Sequence, residues 1–353
     1  MTILFAVLLF SLLIFVHELG HFIAAKLSGV QVNEFAMFMG PALVKWGKGE
    51  TQYSIRCIPI GGYCAMEGED GDSDNPRSFQ KAAWWKRLII LVAGAAMNFL
   101  AGLLIYTALF LPMEQVIVPE ISQFQDCCIF QGEDGLQLGD EILSIDGERV
   151  LVNNDISTLL TLNPSKVHTI VVRRGGVELE FTDLVMGHTH IDESGEEYLH
   201  YGFGFGRAKA ATLRDKLAYT WNVVQDDVRM VRLSLQMLLT GKAGLKDMGG
   251  PVLIVKTMSE VAELSDTRGA ALLNMLSFGA FIAINLAVMN LLPIPALDGG
   301  RVVGLLLTTG IEKVIGRKID PKFEGYIHGA GMVLLLALMA VIMFKDIFTI
   351  FKG

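Results

Sequence analysis

Charge is what this sequence has least of for its length. Only 19% of its 353 residues are Asp, Glu, Lys or Arg, against about 25% in a soluble domain, and the mean hydropathy is +0.46. Part of the chain is therefore not made for water. Basic residues number 29 against 37 acidic ones, a net charge of −8. No basic patch is long enough to neutralise a row of phosphates, which excludes nucleic acid as a partner. Cysteine is scarce too: Cys57, Cys64, Cys127 and Cys128 include no CxxC pair, so neither a zinc ribbon nor a disulfide framework is indicated. The adjacent Cys127 and Cys128 read as small hydrophobic side chains.

Four runs lack charge altogether: 1–16 (the apolar pattern resuming at 22–25), 88–113, 269–297, and 329–344, which extends back over Ile327. A helix needs about 20 apolar residues to cross the bilayer core, so four spans are predicted. The first run has neither the basic n-region nor the small-residue cleavage site of a signal peptide and reads as a retained span. Lys26 follows it closely, Lys81, Lys86 and Arg87 precede the second, and Arg301, Lys313, Arg317, Lys318 and Lys322 separate the third from the fourth. The positive-inside tendency puts these connections in the cytoplasm, both termini outside, and the segment from about 114 to 268 on the extracytoplasmic side. Lys345 and Lys352, after the last span, pull the other way.

Ionisable residues within such runs are costly unless they pair or bind something. The first run ends in "HELGH", residues 17–21. On a helix His17 and His21 are one turn apart on one face, so both imidazoles reach a single metal ion, the spacing of zinc hydrolases. Glu18 lies beside them, placed to take a proton from water. The pattern also occurs by chance on soluble helices, but the apolar surroundings favour a Zn2+ site here. Catalytic zinc usually has three protein ligands and one open position, so a ligand is missing. The third run ends "NLAVMNLLPIPALDGGR", residues 285–301. Pro293 and Pro295 must interrupt the helix, and broken backbone at membrane depth is tolerated where it lines a watery cavity. Asp298 answers the missing position; the alternative is an ordinary interfacial carboxylate. Asn290 can hydrogen-bond a substrate carbonyl or a developing oxyanion, or merely a neighbouring helix.

HELGH in the first span with NLLPIPALDGG in a later one resembles the site-2 protease family of intramembrane zinc metalloproteases. The similarity is greatest to the bacterial regulator-of-sigma-E, or RIP metalloprotease, type. It covers nearly the whole chain and includes "AGAAMNF" in the second span and "MGGPV" before the third. It implies zinc binding by His17, His21 and Asp298, with Glu18 as catalytic base. It also implies cleavage inside the transmembrane segments of single-span membrane proteins, such as a pre-trimmed anti-sigma factor or a signal-peptide remnant. The setting implied is the lipid bilayer of the bacterial cytoplasmic (inner) membrane, with the chain multi-pass. A non-catalytic membrane adaptor is the competing class, and it leaves these four residues unexplained.

The connecting segments fill in the rest. Residues 40–67, "GPALVKWGKGETQYSIRCIPIGGYCAME", alternate like strands around a Gly-Lys-Gly turn. The resemblance makes this a membrane-associated β-hairpin whose edge, around Arg56, Ile58, Ile60, Gly61 and Gly62, pairs with an extended substrate backbone; a simple cytoplasmic hairpin is the alternative. In the second span Gly94, Ala95, Ala96 and Asn98 suit close helix packing.

Residues 115–186 read as a β-rich module with a turn at Gly175-Gly176. "GLQLGDEILSIDGERV" within it resembles a PDZ domain, which captures a peptide C-terminus by strand addition or screens out bulky substrates. His188, His190 and His200, with Asp192, Glu193, Glu196 and Glu197, read as a solvated acidic loop rather than an accessory metal site. Residues 214–240 pattern as an amphipathic helix, and Gly249–Val252 carries no assigned chemistry. The predicted class is an α-helical multi-pass membrane protein with four transmembrane helices, a membrane-associated β-hairpin and an inserted extracytoplasmic PDZ domain. Its parts are 1–113 and 269–353 as membrane halves, 114–186 as the PDZ-like domain and 187–268 as linker and amphipathic helix.

Overall fold

A computed structural model describes residues 2–69, 71, 73–125, 131–132, 135–191, 197–244, 249–315 and 321–352. Met248, Cys127, Cys128, Asp192, Glu193, Glu196, Arg317 and Lys318 lie outside the described residues, as do the side chains of Ile60, His190 and Glu197. The chain divides into two compact units, Met1–Tyr106 with Val228–Gly353, and Thr107–Asp227.

The first unit opens with helix α1, Thr2–Ser28, followed by strands β1, Val32–Trp46, and β2, Gln52–Met66, and then helix α2, Trp84–Phe110. Later in the chain it adds α5, Pro251–Glu263, α6, Arg268–Asn290, α7, Asp298–Ile315, and α8, Pro321–Lys352. Four helical segments among the described residues are long and apolar enough to cross a membrane: Leu4–Ser28, Trp84–Phe110, Arg268–Asn290 and Gly325–Asp346. They match the four uncharged runs with shifted ends. The second stops at Phe110 rather than 113, just before Pro112. The third stops at Asn290, because Pro293 and Pro295 cannot continue it. In the last, only 6% of the apolar window is buried in protein, so its side chains face outward, as lipid contact requires.

Small residues let these helices touch. A Cβ on Gly20 would stand 2.8 Å from the Ala93 carbonyl carbon, so the glycine of HELGH is where α1 meets α2 backbone to backbone. Ala6, Leu9 and Leu13 of α1 pack with Met258 of α5 and with Met275, Ile282 and Ala283 of α6. A second cluster joins Ala24 and Ala25 to Phe35, Cys64 and Met66 of the strands, Ile90 and Leu91 of α2, and Leu305 of α7.

The strands form a bent antiparallel pair in which β1 has β2 on both sides. Phe35 stands opposite both Cys64 and Tyr53, and Met37 opposite both Gly62 and Ile55. The 62–66 end of β2 is therefore an edge. Arg56 is engaged within the pair, donating to the Gly40 carbonyl at 2.6 Å, to Glu34 at 2.9 Å and to the Tyr63 hydroxyl. Burial works against ionisation of Glu34, yet the bonds from Ser54 and Arg56 hold it below the usual carboxylate range. Burial, reinforced by Glu34, pushes the Tyr63 hydroxyl up to about 12.

One contact in this unit explains a stretch with no assigned chemistry. Asp346 of α8, 3% exposed, accepts the backbone N–H of Gly250 at 2.8 Å and of Leu253 at 3.3 Å. It satisfies donors that the first turn of α5 leaves open. The glycine is needed there, since a Cβ on Gly250 would stand 2.7 Å from Asp346 Oδ2.

The second unit carries β3, Gln115–Phe124, β4, Glu141–Ile145, β5, Glu148–Arg149, α3, Asp155–Leu162, β6, Val167–Arg174, and β7, Val177–Val185. Beyond these come β8, His188–Ile191, β9, Glu197–His200, β10, Phe203–Ala210, and the start of α4, Leu213–Leu239. A six-stranded sheet runs β10-β3-β4-β6-β7, with β5 on β4. The strand pairing does not stop at the expected boundary of 186, because β10 lies along the full length of β3 from Gln115 to Phe124. Ile121, Ile142, Ile145, Ile170 and Val172 of the strands, Ile156 of α3 and Met186 are buried. Asp140, also buried, accepts from Arg174 Nε and from its terminal nitrogen, each at 2.7 Å, and from the Gln137 N–H at 2.8 Å. His188 stands opposite His200 across β8 and β9, and no metal cluster forms there among the described residues.

Candidate functional site

The histidines of HELGH come from α1, and Asp298 comes from the first turn of α7. The Pro-interrupted segment 291–297 brings the two together. His17 Nε2 lies 3.1 Å from Asp298 Oδ2, His21 Nε2 lies 3.3 Å from the same oxygen, and the two Nε2 atoms are 3.2 Å apart. Four ligands set tetrahedrally about 2.0–2.1 Å from one zinc ion stand about 3.3 Å from each other. The three atoms already form one face of such a tetrahedron.

Hydrogen bonding says the same. His21 Nδ1–H donates to the Ile90 carbonyl at 2.8 Å, which leaves Nε2 with a bare lone pair facing the cluster. Asp298 Oδ2 is buried and receives no hydrogen bond. Lone pairs and a carboxylate oxygen gathered this closely repel one another unless a cation lies between them. Gly94 of α2 leaves room for the rings, since a Cβ there would stand 2.8 Å from Cε1 of both histidines and would overlap His21 Nε2. The donor set and its cradle thus fit a divalent metal ion.

Around the cluster is a cavity of about 1010 Å3, lined among others by His17, Glu18, His21, Tyr63, Cys64, Glu69, Asp298, Arg301 and His328. Gly62 of β2 backs onto α1 at Glu18, with its missing Cβ 3.6 Å from Glu18 Cγ. The 62–66 edge of β2 therefore runs beside Glu18, and Tyr63, Cys64, Ala65 and Met66 all line the cavity. Burial pushes the Cys64 thiol well above its ordinary value, which suits a packing role. Glu69 and Arg301 form an ion pair within the same lining.

Asn290 lies at the end of α6 with its side-chain amide 3.4 Å from His17 Nδ1. Ile58 is half-exposed opposite Met39, and Gly61 turns the strand with φ +81°. The structure thus gathers His17, Glu18, His21, Asp298, Asn290 and Gly62. Asn98 is buried on α2 with its Oδ1 unpartnered. Glu69 and His328 also line this cavity, joined by Arg301, which in the sequence reads only as a loop charge. That histidine sits at the start of the fourth span, and an ionisable residue in such a place is itself a signal.

Residues 5–338 match the family described as Peptidase family M50. A protein of Clostridium perfringens is 36% identical over 98% of both chains. One of Clostridium acetobutylicum is 36% identical over 98% of this chain and 97% of its own. One of Fusobacterium nucleatum is 33% identical over 100% of each. All three carry the name "Putative zinc metalloprotease".

Proposed function

The chain belongs to peptidase family M50, and from that premise we propose that it hydrolyses peptide bonds inside the transmembrane segments of single-span membrane proteins. It is a zinc metalloprotease with four helices fit to span a membrane. The observation that carries the finer reading is the convergence of His17 and His21 of the first apolar helix with Asp298 of α7, at 3.1–3.3 Å. In this reading the three residues hold the ion and Glu18 is the general base.

Bound there, zinc supplies a Lewis acid that polarises a carbonyl and lowers the pKa of water towards about 7. Glu18 takes the proton of the attacking water on its carboxylate and returns it to the leaving amide nitrogen. His21 is fixed in the right tautomer by the Ile90 carbonyl. For His17 to offer Nε2, its Nδ1 must carry the proton, and the Asn290 side-chain amide lies 3.4 Å from that nitrogen. An N–H of that amide is the donor proposed for a substrate carbonyl or oxyanion.

A peptide bond in a helix is shielded and must be extended before attack. The 62–66 edge beside Glu18 offers backbone groups with which an unwound substrate can pair. Arg56 serves this indirectly, by bracing the strand pair. In the second unit, the PDZ reading is supported by a sheet whose path ends at β10 and β7, edges to which a peptide terminus can add. The location remains the bacterial inner membrane with both termini and the PDZ-like domain outside, argued from the loop charges.

The test is incubation in liposomes with tagged single-span substrates lacking bulky external domains, comparing wild type with Glu18→Gln. Products cut within the hydrophobic segment, by wild type only, support the reading. Equal cleavage by both proteins removes Glu18 from the mechanism, and no cleavage of any substrate by zinc-loaded wild type overturns the activity.

A further inference from the structure

Pro293 and Pro295 remove the helical hydrogen bonds that would otherwise fix the segment leading into Asp298. That segment is also strained: Ala296 has φ +81°, a left-handed conformation costing a non-glycine residue about 1 kcal/mol or more. Strain of this kind persists only where surroundings enforce it. The enforcing contacts come from two sides. On one side Gly300 of α7 approaches so closely that a Cβ would stand 2.8 Å from the Ile294 carbonyl carbon. On the other side is α8. The Ala296 N–H donates to His328 Nδ1 at 3.3 Å. Three residues further along the same helix face, a Cβ on Gly331 would stand 2.9 Å from the Pro295 carbonyl carbon and 3.0 Å from its oxygen. Only 6% of the apolar window of α8 is buried, so a backbone-close contact on this helix stands out. His328 also lines the cavity that holds His17, Glu18, His21 and Asp298.

We infer that His328 is a positioning residue for the metal centre. By accepting the Ala296 N–H, it holds the left-handed turn two residues before Asp298 in the form that aims Oδ2 at the two histidine nitrogens. The inference rests on the reading of Asp298 as a ligand. It predicts that the acceptor at Nδ1, rather than Nε2, holds the turn. Side-chain geometry separates these. The amide of Asn reaches the place of Nδ1, while the longer Gln reaches the place of Nε2.

The experiment measures zinc affinity of the full chain in detergent by competition with a chromophoric chelator, without substrate, for wild type, His328→Ala, His328→Asn, His328→Gln and Asp298→Ala. Circular dichroism accompanies each variant to establish that it is folded. The expected result for His328→Ala is zinc affinity lowered about 10- to 100-fold, the range for residues that orient metal ligands. His328→Gln should resemble Ala, and His328→Asn should recover most of the affinity. Wild-type affinity in His328→Ala with loss in Asp298→Ala overturns the positioning role alone. Wild-type affinity in Asp298→Ala overturns the ligand reading beneath it. Recovery by Gln and not Asn also overturns the inference, and if the Ala variant does not fold, this Asn–Gln comparison decides.

Discussion

Gly94→Ala adds one methyl group where the structure has room for none. The new Cβ would stand 2.8 Å from Cε1 of both His17 and His21, where ordinary contact begins at 3.4 Å. The rings must therefore retreat by at least about 0.6 Å, against a tolerance of about 0.2 Å in metal–ligand distances. Nor can α2 simply withdraw, because its Ala93 carbonyl is in backbone-close packing with Gly20 of α1. Overpacking of this kind costs about 1–3 kcal/mol. If that cost falls on the metal-bound state, zinc affinity drops by about 5- to 150-fold at 1.4 kcal/mol per tenfold. Chelator competition on the purified protein reads this directly. Gly310→Ala on α7 is the control, since a Cβ there meets nothing within 4 Å, and its zinc affinity should be unchanged. Wild-type zinc affinity in Gly94→Ala would mean that the ligand cradle is looser than these contacts imply and that Gly94 does not limit it.

Two further predictions concern stability. Asp346→Ala removes the acceptor for Gly250 and Leu253 and should cost about 1–2 kcal/mol, the range for a lost helix cap; it should speed hydrogen exchange at the start of α5, with Asp346→Asn recovering part. Equal exchange in all three proteins would show that the cap carries no weight. Asp140→Ala strips Arg174 of its two 2.7 Å bonds. The cost should be about 2 kcal/mol, within the range for hydrogen bonds to a charged group, because the Arg174 side chain is 24% exposed and keeps the Gly135 carbonyl. Hydrogen exchange in β4 and β6 of the full chain is the readout, and unchanged protection would contradict it.

Local chemistry made much of this protein legible in its sequence. Four charge-free runs became four long apolar helices, and two prolines ended α6 where a helix must end. The i, i+4 spacing put His17 and His21 on one face, and LDGG brought a carboxylate to them. What was not legible depends on partners far away along the chain. The cap on α5 comes from Asp346, 96 residues from Gly250, so GGPV carried no visible reason. The pairing of β10 with β3 is long-range, and hydrophobic alternation marks strands without naming neighbours. Arg56 looked available for a substrate because its partners Glu34 and Gly40 lie on the other strand. His328 shows nothing in sequence of the bond it receives from Ala296.

The proposed centre holds one zinc ion on His17, His21 and Asp298 and leaves Glu18 to do the chemistry. The decisive measurement is the zinc content of the purified chain by mass spectrometry, in wild type and in single variants of these four residues. Wild type and Glu18→Gln should each carry one zinc per chain, and His17→Ala, His21→Ala and Asp298→Ala should lose it. Full zinc in Asp298→Ala would remove that residue from the ligand set, and loss in Glu18→Gln would make Glu18 a ligand rather than the base.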